Sequence, residues 1–443
     1  MRDIEVMIYD LQSASGKLQS AIAMRPVGKT PLSGARSALF LLLAINLFNY
    51  IDRQILAAVE PDIRATFFSS NDPNAMTKTG LLGDAFFVTY MLSAPILGLL
   101  ADRISRWLIV GSAVILWSLA SGGSGLAATF GILFATRIFV GIGEGGYGPA
   151  APTILADLFA IQIRGRIMAI FYAAIPVGSA LGYVIGGLVG ANLGWRWAFY
   201  LVTPPGLLLG LLCFLQRDPR VGADHLAHKS PRRSIGDYLR LFHTRSYLIN
   251  CVAMTLMTFV QGGLGFWVPA YLRYRNQSPE VGTTIFGLIL VVAGLVSTLV
   301  GGVIADKLRS RLAGSYFWVS GIGMLIACPI FVVALYIPFP AAWIAMFLAI
   351  FFLFLNTGPS NTALANVSLP VVRATAFAAN IFVVHALGDV QAFWLLGYIG
   401  GHTNMHVAFL FVSGIIFLSG LTWLIGVKYL AADTAAVEAA PAT

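Results

Sequence analysis

Residues 98–106, reading GLLADRISR, decide how this chain folds, because they join two long apolar segments and recur farther along the sequence. The Gly, Ala, Asp and basic residue of this stretch return 204 residues later as Gly302, Ala305, Asp306 and Lys307. A second set, Thr153, Leu155, Ala156, Asp157 and Arg164, returns after 209 residues as Thr362, Leu364, Ala365, Asn366 and Arg373. Two echoes at nearly the same offset indicate that the chain consists of two related halves.

The composition excludes a water-soluble globular protein. Hydrophobic residues make up 58% of the chain and charged residues 11%, and the mean hydropathy is +0.81. At about 35 residues for each membrane helix and its connection, the length allows about twelve spans. Continuous apolar runs favour helices over the alternating strands of a membrane barrel. We predict an all-α membrane protein with helices near residues 37–62, 79–101, 107–125, 130–156, 166–190, 196–215, 246–271, 281–305, 314–337, 341–366, 374–398 and 404–427.

Charged connections divide the chain into domains. The only long one predicts a basic linker at 216–245 between two pseudo-symmetric six-helix bundles, 37–215 and 246–430. We expect residues 1–36 and 431–443 to be tails. Residues 1–36 lack the apolar core of a secretory signal, and Met24 is an alternative start. The cysteines, which fall in apolar spans without metal or redox spacing, are interpreted as packing residues: Cys213, Cys251 and Cys328.

The net charge of +9 reports orientation in a membrane and not a nucleic-acid partner. Most of the 28 Lys and Arg residues fall in alternate loops, whereas the opposite loops carry only Arg64, Lys78, Arg196, Arg273 and Arg275. Because positive loops stay on the cytoplasmic side, both termini are predicted to face the cytoplasm, with the chain in the plasma (inner) membrane.

Charges inside the spans of the first half are candidates for function, because a buried ion costs about 2.5 to 3.5 kcal/mol even on insertion scales. They are Asp52 and Arg53 in the first helix, and Arg137 and Glu144 in the fourth. We predict that Arg53 binds an anionic substrate group and that Asp52 or Glu144 takes up a proton, with Arg137 tuning that acid. The alternative is a static charge network that holds the two helices together.

The second half offers weaker candidates. His385 and Asp389 are four residues apart and share one face of the eleventh helix, which suggests a second proton site or a packing histidine. In the tenth helix, Asn356, Ser360 and Asn361 surround Gly358 and Pro359, where a broken helix would expose polar groups to a cavity. We expect these three side chains, and His385, to contact substrate.

The Gly, Asp, Arg and Arg spacing of GLLADRISR resembles the signature between the second and third helices of the major facilitator superfamily. The resemblance implies two bundles that rock around a central cavity and give alternating access. Gly98 would allow close packing, and Asp102, Arg103 and Arg106, with Asp306 and Lys307 of the repeat, would form a conformational latch between the halves. Alternatively, these charges only mark turns.

Four stretches narrow the resemblance: NYIDRQ at 49–54, the segment 137–159, GPSNTALANV at 358–367 and HALGD at 385–389. Together they resemble the spinster family of the superfamily. This implies a carrier of lysophospholipids or sphingoid phosphates, linked to protons, with Asp52, Arg53, Arg137, Glu144 and His385 at positions that the family uses. The family usually continues HALGD with Ser and Pro, which this chain lacks, so we expect a straighter eleventh helix and a cavity narrowed by aromatic residues.

The substrate class stays open at this point. Because Arg53 suits a carboxylate as well as a phosphate, a proton-coupled carrier of small organic acids, of the anion-cation symporter kind, is the second hypothesis. A membrane receptor or a membrane enzyme is less consistent with the sequence, which shows no signalling domain and no catalytic set. We therefore expect a transporter that is not an enzyme, has no cofactor or metal and acts as a monomer.

Overall fold

The chain folds into long helices. The structure, a computed structural model, describes residues 34–159, 161–218, 241–369 and 372–439, without the side chains at 102, 161, 162 and 374. The first half contains α1 to α6: Ala35–Phe67, Ala75–Arg103, Arg106–Gly125, Phe130–Leu158, Ile161–Leu193 and Trp195–Cys213. The second half contains α7 (Arg245–Tyr274), α8 (Pro279–Arg309), α9 (Ser315–Tyr336), α10a (Ala341–Phe354), α10b (Thr357–Asn366), α11a (Arg373–Val384), α11b (Val390–His402) and α12 (Met405–Glu438).

This arrangement confirms the all-α prediction, since every predicted span overlaps a helix and no strand occurs among the described residues. Eleven helices in the described ranges are long and apolar enough to cross a membrane. The remaining helix, α4, carries Arg137 and Glu144. Most helices exceed the predicted spans, and α12 continues to Glu438. In contrast, α6 ends at Cys213, before the predicted residue 215, and α9 lies within the predicted 314–337. Met24 and most of the predicted first tail and linker lie outside the described residues.

Two helices of the second half are interrupted. The tenth breaks at Leu355 and Asn356, just before the predicted position at Gly358 and Pro359. The eleventh, for which the missing proline predicts a straighter helix, contains a π-helical turn at His385–Asp389 that joins α11a to α11b. This turn lies tightly against α7: a Cβ at Gly388 would lie 2.9 Å from the carbonyl oxygen of Thr255. A glycine-containing π-turn therefore interrupts the helix without proline.

Within the first half, α5 lies directly against the backbone of α1. Three glycines of α5 recur every fourth residue, so they line one face, and a Cβ on each would overlap α1. At Gly178 that Cβ would lie 2.6 Å from the carbonyl oxygen of Leu47, and at Gly182 2.6 Å from that of Ile51. At Gly186 it would lie 2.6 Å from Ala58. Close small-residue contact of this kind is how membrane helices associate strongly.

The halves meet through three helix pairs: α1 with α7, α2 with α11b and α5 with α8. Their close contacts lie near the end of the bundle where α1 ends and α2 begins, called here the α1–α2 end. There, Gly187 of α5 leaves space for Thr283 of α8, and Gly401 of α11b leaves space for the backbone of Pro73. The opposite end of the bundle, where α2 passes to α3, is called the α2–α3 end.

Candidate functional site

Arg53 of α1 and Glu144 of α4 form the central ion pair. The Nε atom of Arg53 donates to Oε2 of Glu144 at 2.7 Å, and the Nη2 atom of Arg53 lies 2.5 Å from the same oxygen. The Glu144 side chain is 1% exposed and that of Arg53 is 19% exposed. The carboxylate is therefore the buried partner, and the guanidinium is the partner that other molecules can reach.

Aromatic rings surround the guanidinium of Arg53. Its central carbon lies 4.9 Å from the ring centres of Tyr50 and Phe86, 5.4 Å from Tyr90 and 5.8 Å from Phe87. Aromatic rings within about 6 Å of a guanidinium attract its positive charge. These rings and Glu144 stabilise a positive charge within the span while leaving one side of it open.

Asp52 and Arg137 form a second buried layer, on the other side of α1. Asp52 accepts a hydrogen bond from the Ser121 hydroxyl of α3, and Arg137 donates to the Ser124 hydroxyl one turn farther along α3. The two charged side chains attract each other without forming an ion pair in this part of the structure, and Phe199 lies under Arg137. Asp52 of α1 and Arg137 of α4 therefore each bind a serine of α3 instead of each other.

The π-turn of the eleventh helix brings His385 and Asp389 together. Nδ1 of His385 lies 2.5 Å from Oδ2 of Asp389, and the His385 ring lies 5.5 Å from that of Phe87 in α2. The other Asp389 oxygen faces Gly262 of α7, where an added Cβ would lie only 2.0 Å away. Only glycine fits there without moving the carboxylate.

Two adjacent cavities lie between the halves. The smaller, of about 200 Å³, is lined by Asp52, Arg53, Arg137 and Asp389 with aromatic residues that include Phe393. The larger, of about 600 Å³, lies among α5, α7, α8 and the tenth helix, and most of its surface is apolar. Both cavities share a lining of Gln54, Gln261 and Gly265. A polar chamber thus adjoins a roomier apolar one.

The expected substrate contacts of the tenth helix are not in these cavities. Asn356 is buried and donates to the Leu353 carbonyl at 2.6 Å, and the carbonyl of buried Ser360 accepts from Asn250. Asn361 is exposed and donates to the carbonyl of Thr357 at 2.8 Å. The break at residues 355–356 changes which residues of the tenth helix face the cavities, so Thr357 lines the larger cavity in place of the three predicted residues.

The predicted latch residues contact their own halves. Arg106 binds Asp157 of the first half at 2.6 Å and Asp218, at the start of the predicted linker, at 3.3 Å, and Asp306 accepts from the Tyr316 hydroxyl in the second half. Arg103 and Lys307 are exposed, and the Asp102 side chain lies outside the described residues. Gly98 does not enforce close packing, since a Cβ there would lie an ordinary 3.6 Å from Pro149. A latch between halves therefore stays a prediction.

Two buried acids escaped the sequence analysis, although the rule about charges inside spans applies to them. Glu60 of α1 is fully buried, and its Oε1 accepts from Thr79 at 2.6 Å and from Arg64 at 3.2 Å. Asp84 of α2 is 7% exposed, and neither of its carboxyl oxygens has a hydrogen-bond partner in the described structure. A count of every charged residue inside the predicted spans would have found both acids.

Polar contacts between the halves close the α1–α2 end. Arg273 of α7 binds Asp62 of α1, and Asn192 of α5 donates to Glu280 of α8 at 2.9 Å. Deeper in the bundle, the Tyr183 hydroxyl donates to the Gly265 carbonyl. The two halves are therefore joined beyond the cavities at this end.

Comparison with known proteins agrees with this architecture. Residues 42–390 match the family model described as Major Facilitator Superfamily. The chain is 36% identical to protein spinster homolog 3 of Danio rerio, over 84% of this chain and 78% of that protein. It is 33% identical to the sphingosine-1-phosphate transporter SPNS2 of Xenopus tropicalis, over 89% of this chain and 78% of that protein.

A solved structure shows the same fold. It is a bacterial homolog of the human lysosomal transporter spinster in an inward-facing, unoccupied conformation, with a TM-score of 0.81 and 21% identity over 91% of this chain and 99% of that one. Proteins of this kind are named as transporters, which agrees with the prediction that the chain is not an enzyme. The chain is therefore a multi-pass membrane transporter that belongs to the spinster family of the major facilitator superfamily.

Proposed function

We propose that this transporter moves an amphipathic lipid with an anionic head, of the lysophospholipid or sphingoid-phosphate class, by alternating access coupled to protons. One observation carries the proposal: the guanidinium of Arg53 lines a polar chamber that adjoins an apolar cavity of about 600 Å³. An anionic head at Arg53 and an acyl or sphingoid tail in the apolar cavity match both chambers. A relative named for sphingosine-1-phosphate transport supports this substrate class.

Proton coupling follows from competition for one cation. Arg53 already holds Glu144, so an anionic head must displace this carboxylate or share the guanidinium with it. Two negative charges beside a single buried cation repel each other, and protonation of Glu144 removes one of these charges. Proton and substrate therefore favour each other's binding, and each increases the affinity for the other by the same factor. His385 and Asp389 form the second acid–base pair of the cavity.

The basic loops support an orientation with both termini in the cytoplasm of a plasma (inner) membrane. In that orientation the closed α1–α2 end faces outward, and the cavities belong to an inward-facing state. The monomer contains both halves and the whole site, so we propose a monomer as the transporting unit. Labelling of cysteines placed at Ser70 and Lys307 with a membrane-impermeant thiol reagent tests the orientation.

The substrate class is tested by counterflow into proteoliposomes loaded with unlabelled substrate. The probes are sphingosine 1-phosphate, lysophosphatidic acid and lactate, each radiolabelled. Exchange of the two lipids, and its loss in Arg53→Ala, supports the proposal. Exchange of lactate alone contradicts it and favours the small organic acid carrier.

A bulky residue in the larger cavity separates tail recognition from head recognition. Ala173 lines this cavity on α5, so Ala173→Trp should reduce exchange of long-chain lysophosphatidic acid far more than that of a short-chain analogue. Ala191→Trp, at an exposed position of the same helix, is the matched control. Equal effects of Ala173→Trp on both chain lengths would show that the tail does not occupy this cavity.

A further inference from the structure

The central site does not use the most isolated acid of the membrane interior. We propose that Asp84 is a second proton-carrying group, separate from the two cavities, which binds and releases its proton as α2 moves against α11b. This inference rests on the proposed proton-coupled transport. It adds a proton site at the seam between the halves to the acids of the central chamber.

Asp84 lies at the edge of the face that α2 presents to α11b. A Cβ at Gly80 would lie 2.5 Å from the carbonyl oxygen of Phe393, and one at Gly83 would lie 2.9 Å from the Phe393 ring. The ring of Phe87 lies 5.5 Å from the same ring. At about 100° per residue, Asp84 points about 40° from Gly80 and 60° from Phe87. Its carboxyl group is therefore held at a contact between the two halves.

No other charge offsets this carboxyl group in the described part of the chain. The Asp84 side chain is buried, and neither carboxyl oxygen has a donor among the described residues. On α11b, the neighbours of Phe393 on this side are Gln391 and Trp394, which do not ionise, and Gln391 accepts from Trp394 at 3.2 Å. His385 and Asp389 on the preceding turn are paired with each other.

The charged residues of the other neighbouring helices are directed elsewhere. From α1, Glu60 reaches α2 at Thr79, about 140° away from Asp84. Arg53 lies near Phe86, about 160° away, and also 5.8 Å from the ring of Phe87, about 60° away, with its guanidinium bound to Glu144. From α4, Gly141 and Gly145 contact α2 at Thr89 and Ser93, also on the far side. Arg137 and Glu144 of α4 are bound to Ser124 and Arg53.

These surroundings accept a neutral carboxylic acid and penalise a carboxylate, which would be buried without a donor. The protonated form therefore fits the packed seam of this conformation. When the halves rock apart along α2 and α11b, water reaches the carboxyl group, the O–H bond breaks and the proton passes to that water. Closing the seam again requires a proton to return to the carboxylate. The protonation of Asp84 is thus linked to the conformational cycle and not to the substrate itself.

The test compares two activities of the protein in proteoliposomes, with sphingosine 1-phosphate as probe. Asp84→Asn keeps the shape of the neutral acid and cannot release a proton. We expect it to reduce accumulation driven by a pH gradient by about tenfold, within the usual range of coupling between sites, while gradient-free counterflow stays within about twofold of the unsubstituted protein. Asp84→Glu keeps a carboxyl group that can bind and release a proton, so it should accumulate the probe as the unsubstituted protein does. Asp72→Asn, in the exposed α1–α2 loop, should leave both activities unchanged.

An infrared difference spectrum gives a readout that does not depend on transport. The carbonyl stretch of a protonated carboxylic acid should be present in detergent-solubilised protein and be missing in Asp84→Asn. Absence of such a band, or unchanged accumulation in Asp84→Asn, overturns the proposal. Equal loss of both activities in Asp84→Asn shows a structural role and overturns it as well. Failure of the unsubstituted protein to exchange any probe contradicts the proposed function instead, and the infrared band still decides the state of Asp84.

Discussion

Asp62 of α1 and Arg273 of α7 form a two-pronged ion pair that joins the halves at the α1–α2 end. Nη1 of Arg273 lies 2.9 Å from Oδ1 of Asp62, and Nη2 lies 3.2 Å from Oδ2. Each side chain is about one third exposed, at 37% for Arg273 and 33% for Asp62. The pair is therefore strong enough to bias the closed end and weak enough to open during each cycle.

Removing this pair should shift the population towards states in which the α1–α2 end is open. A partly exposed pair contributes about 0.2 to 1 kcal/mol, so Asp62→Asn should increase the open fraction up to about fivefold. Spin labels at Ser70 and Gln277, in a background without native cysteines, report the distance across this end.

The control for that measurement is Arg64→Gln, which removes a charge at the same end whose partner Glu60 is on the same helix. It should leave the distance distribution unchanged. The exchange Asp62→Arg with Arg273→Asp should restore the closed population. If the single substitution Asp62→Asn leaves the distances as they are, the pair does not hold this end closed.

Binding of an anionic lipid should strengthen as the pH falls, because protonated Glu144 no longer competes for Arg53. For one coupled proton the affinity changes by at most about tenfold per pH unit. Titration calorimetry with lysophosphatidic acid between pH 5 and 8 measures this slope, and Glu144→Gln should remove the part that the protein contributes. Asp157→Asn, which changes an exposed acid of the same helix, should keep the slope. An unchanged slope in Glu144→Gln would assign the proton to another group.

Gly262→Ala should disturb the second half of the site. The new methyl group would lie 2.0 Å from Oδ1 of Asp389, so the carboxylate must move away from His385. Overpacking of this kind costs about 1 to 3 kcal/mol and should lower both the melting temperature and counterflow. Gly265→Ala, three residues farther along α7, meets only Tyr183 at an ordinary 3.6 Å and is the matched control for the melting temperature; because Gly265 lines both cavities, it is not a control for counterflow. Equal melting temperatures for the two variants would contradict this account.

The glycine face of α5 predicts opposite effects for two similar substitutions. Gly182→Ala would place a methyl group 2.6 Å from the Ile51 carbonyl and should destabilise the protein by about 1 to 3 kcal/mol. Gly165→Ala on the same helix meets nothing within 4 Å and should stabilise it by up to about 1 kcal/mol through helix propensity. Thermal unfolding in detergent measures both. A stabilising Gly182→Ala would show that α1 is not held closely against α5.

The sequence was sufficient for the architecture because hydrophobic length and loop charge act locally. Apolar runs place every helix, and the contact between His385 and Asp389 follows from their spacing of four residues. The partner of Arg53 was less accessible to sequence analysis. A spacing rule relates Glu144 to Arg137 on one helix, whereas the structure pairs Glu144 with Arg53 on another.

Details that depend on contacts between distant segments could not be read from the sequence. The break at Leu355 and Asn356 turns Asn361 to the surface, and no local pattern fixes the residue at which a helix yields. Likewise, the glycines of α5 indicate flexibility when α5 is considered alone. In the structure, α1 occupies the space beside the same glycines, so their role depends on the packing of α5 against α1 and not on α5 alone.

The close contact between α1 and α5 has a mechanical consequence. At Gly178 and Gly182 the backbone of α1 lies directly against α5, so a displacement of one helix is transmitted to the other. Any separation of α5 from α8 therefore displaces α1 by the same amount, and Arg53 travels with it. In the proposed site, the cation that would bind the head of the substrate and the helix wall that would border its tail therefore move as one unit.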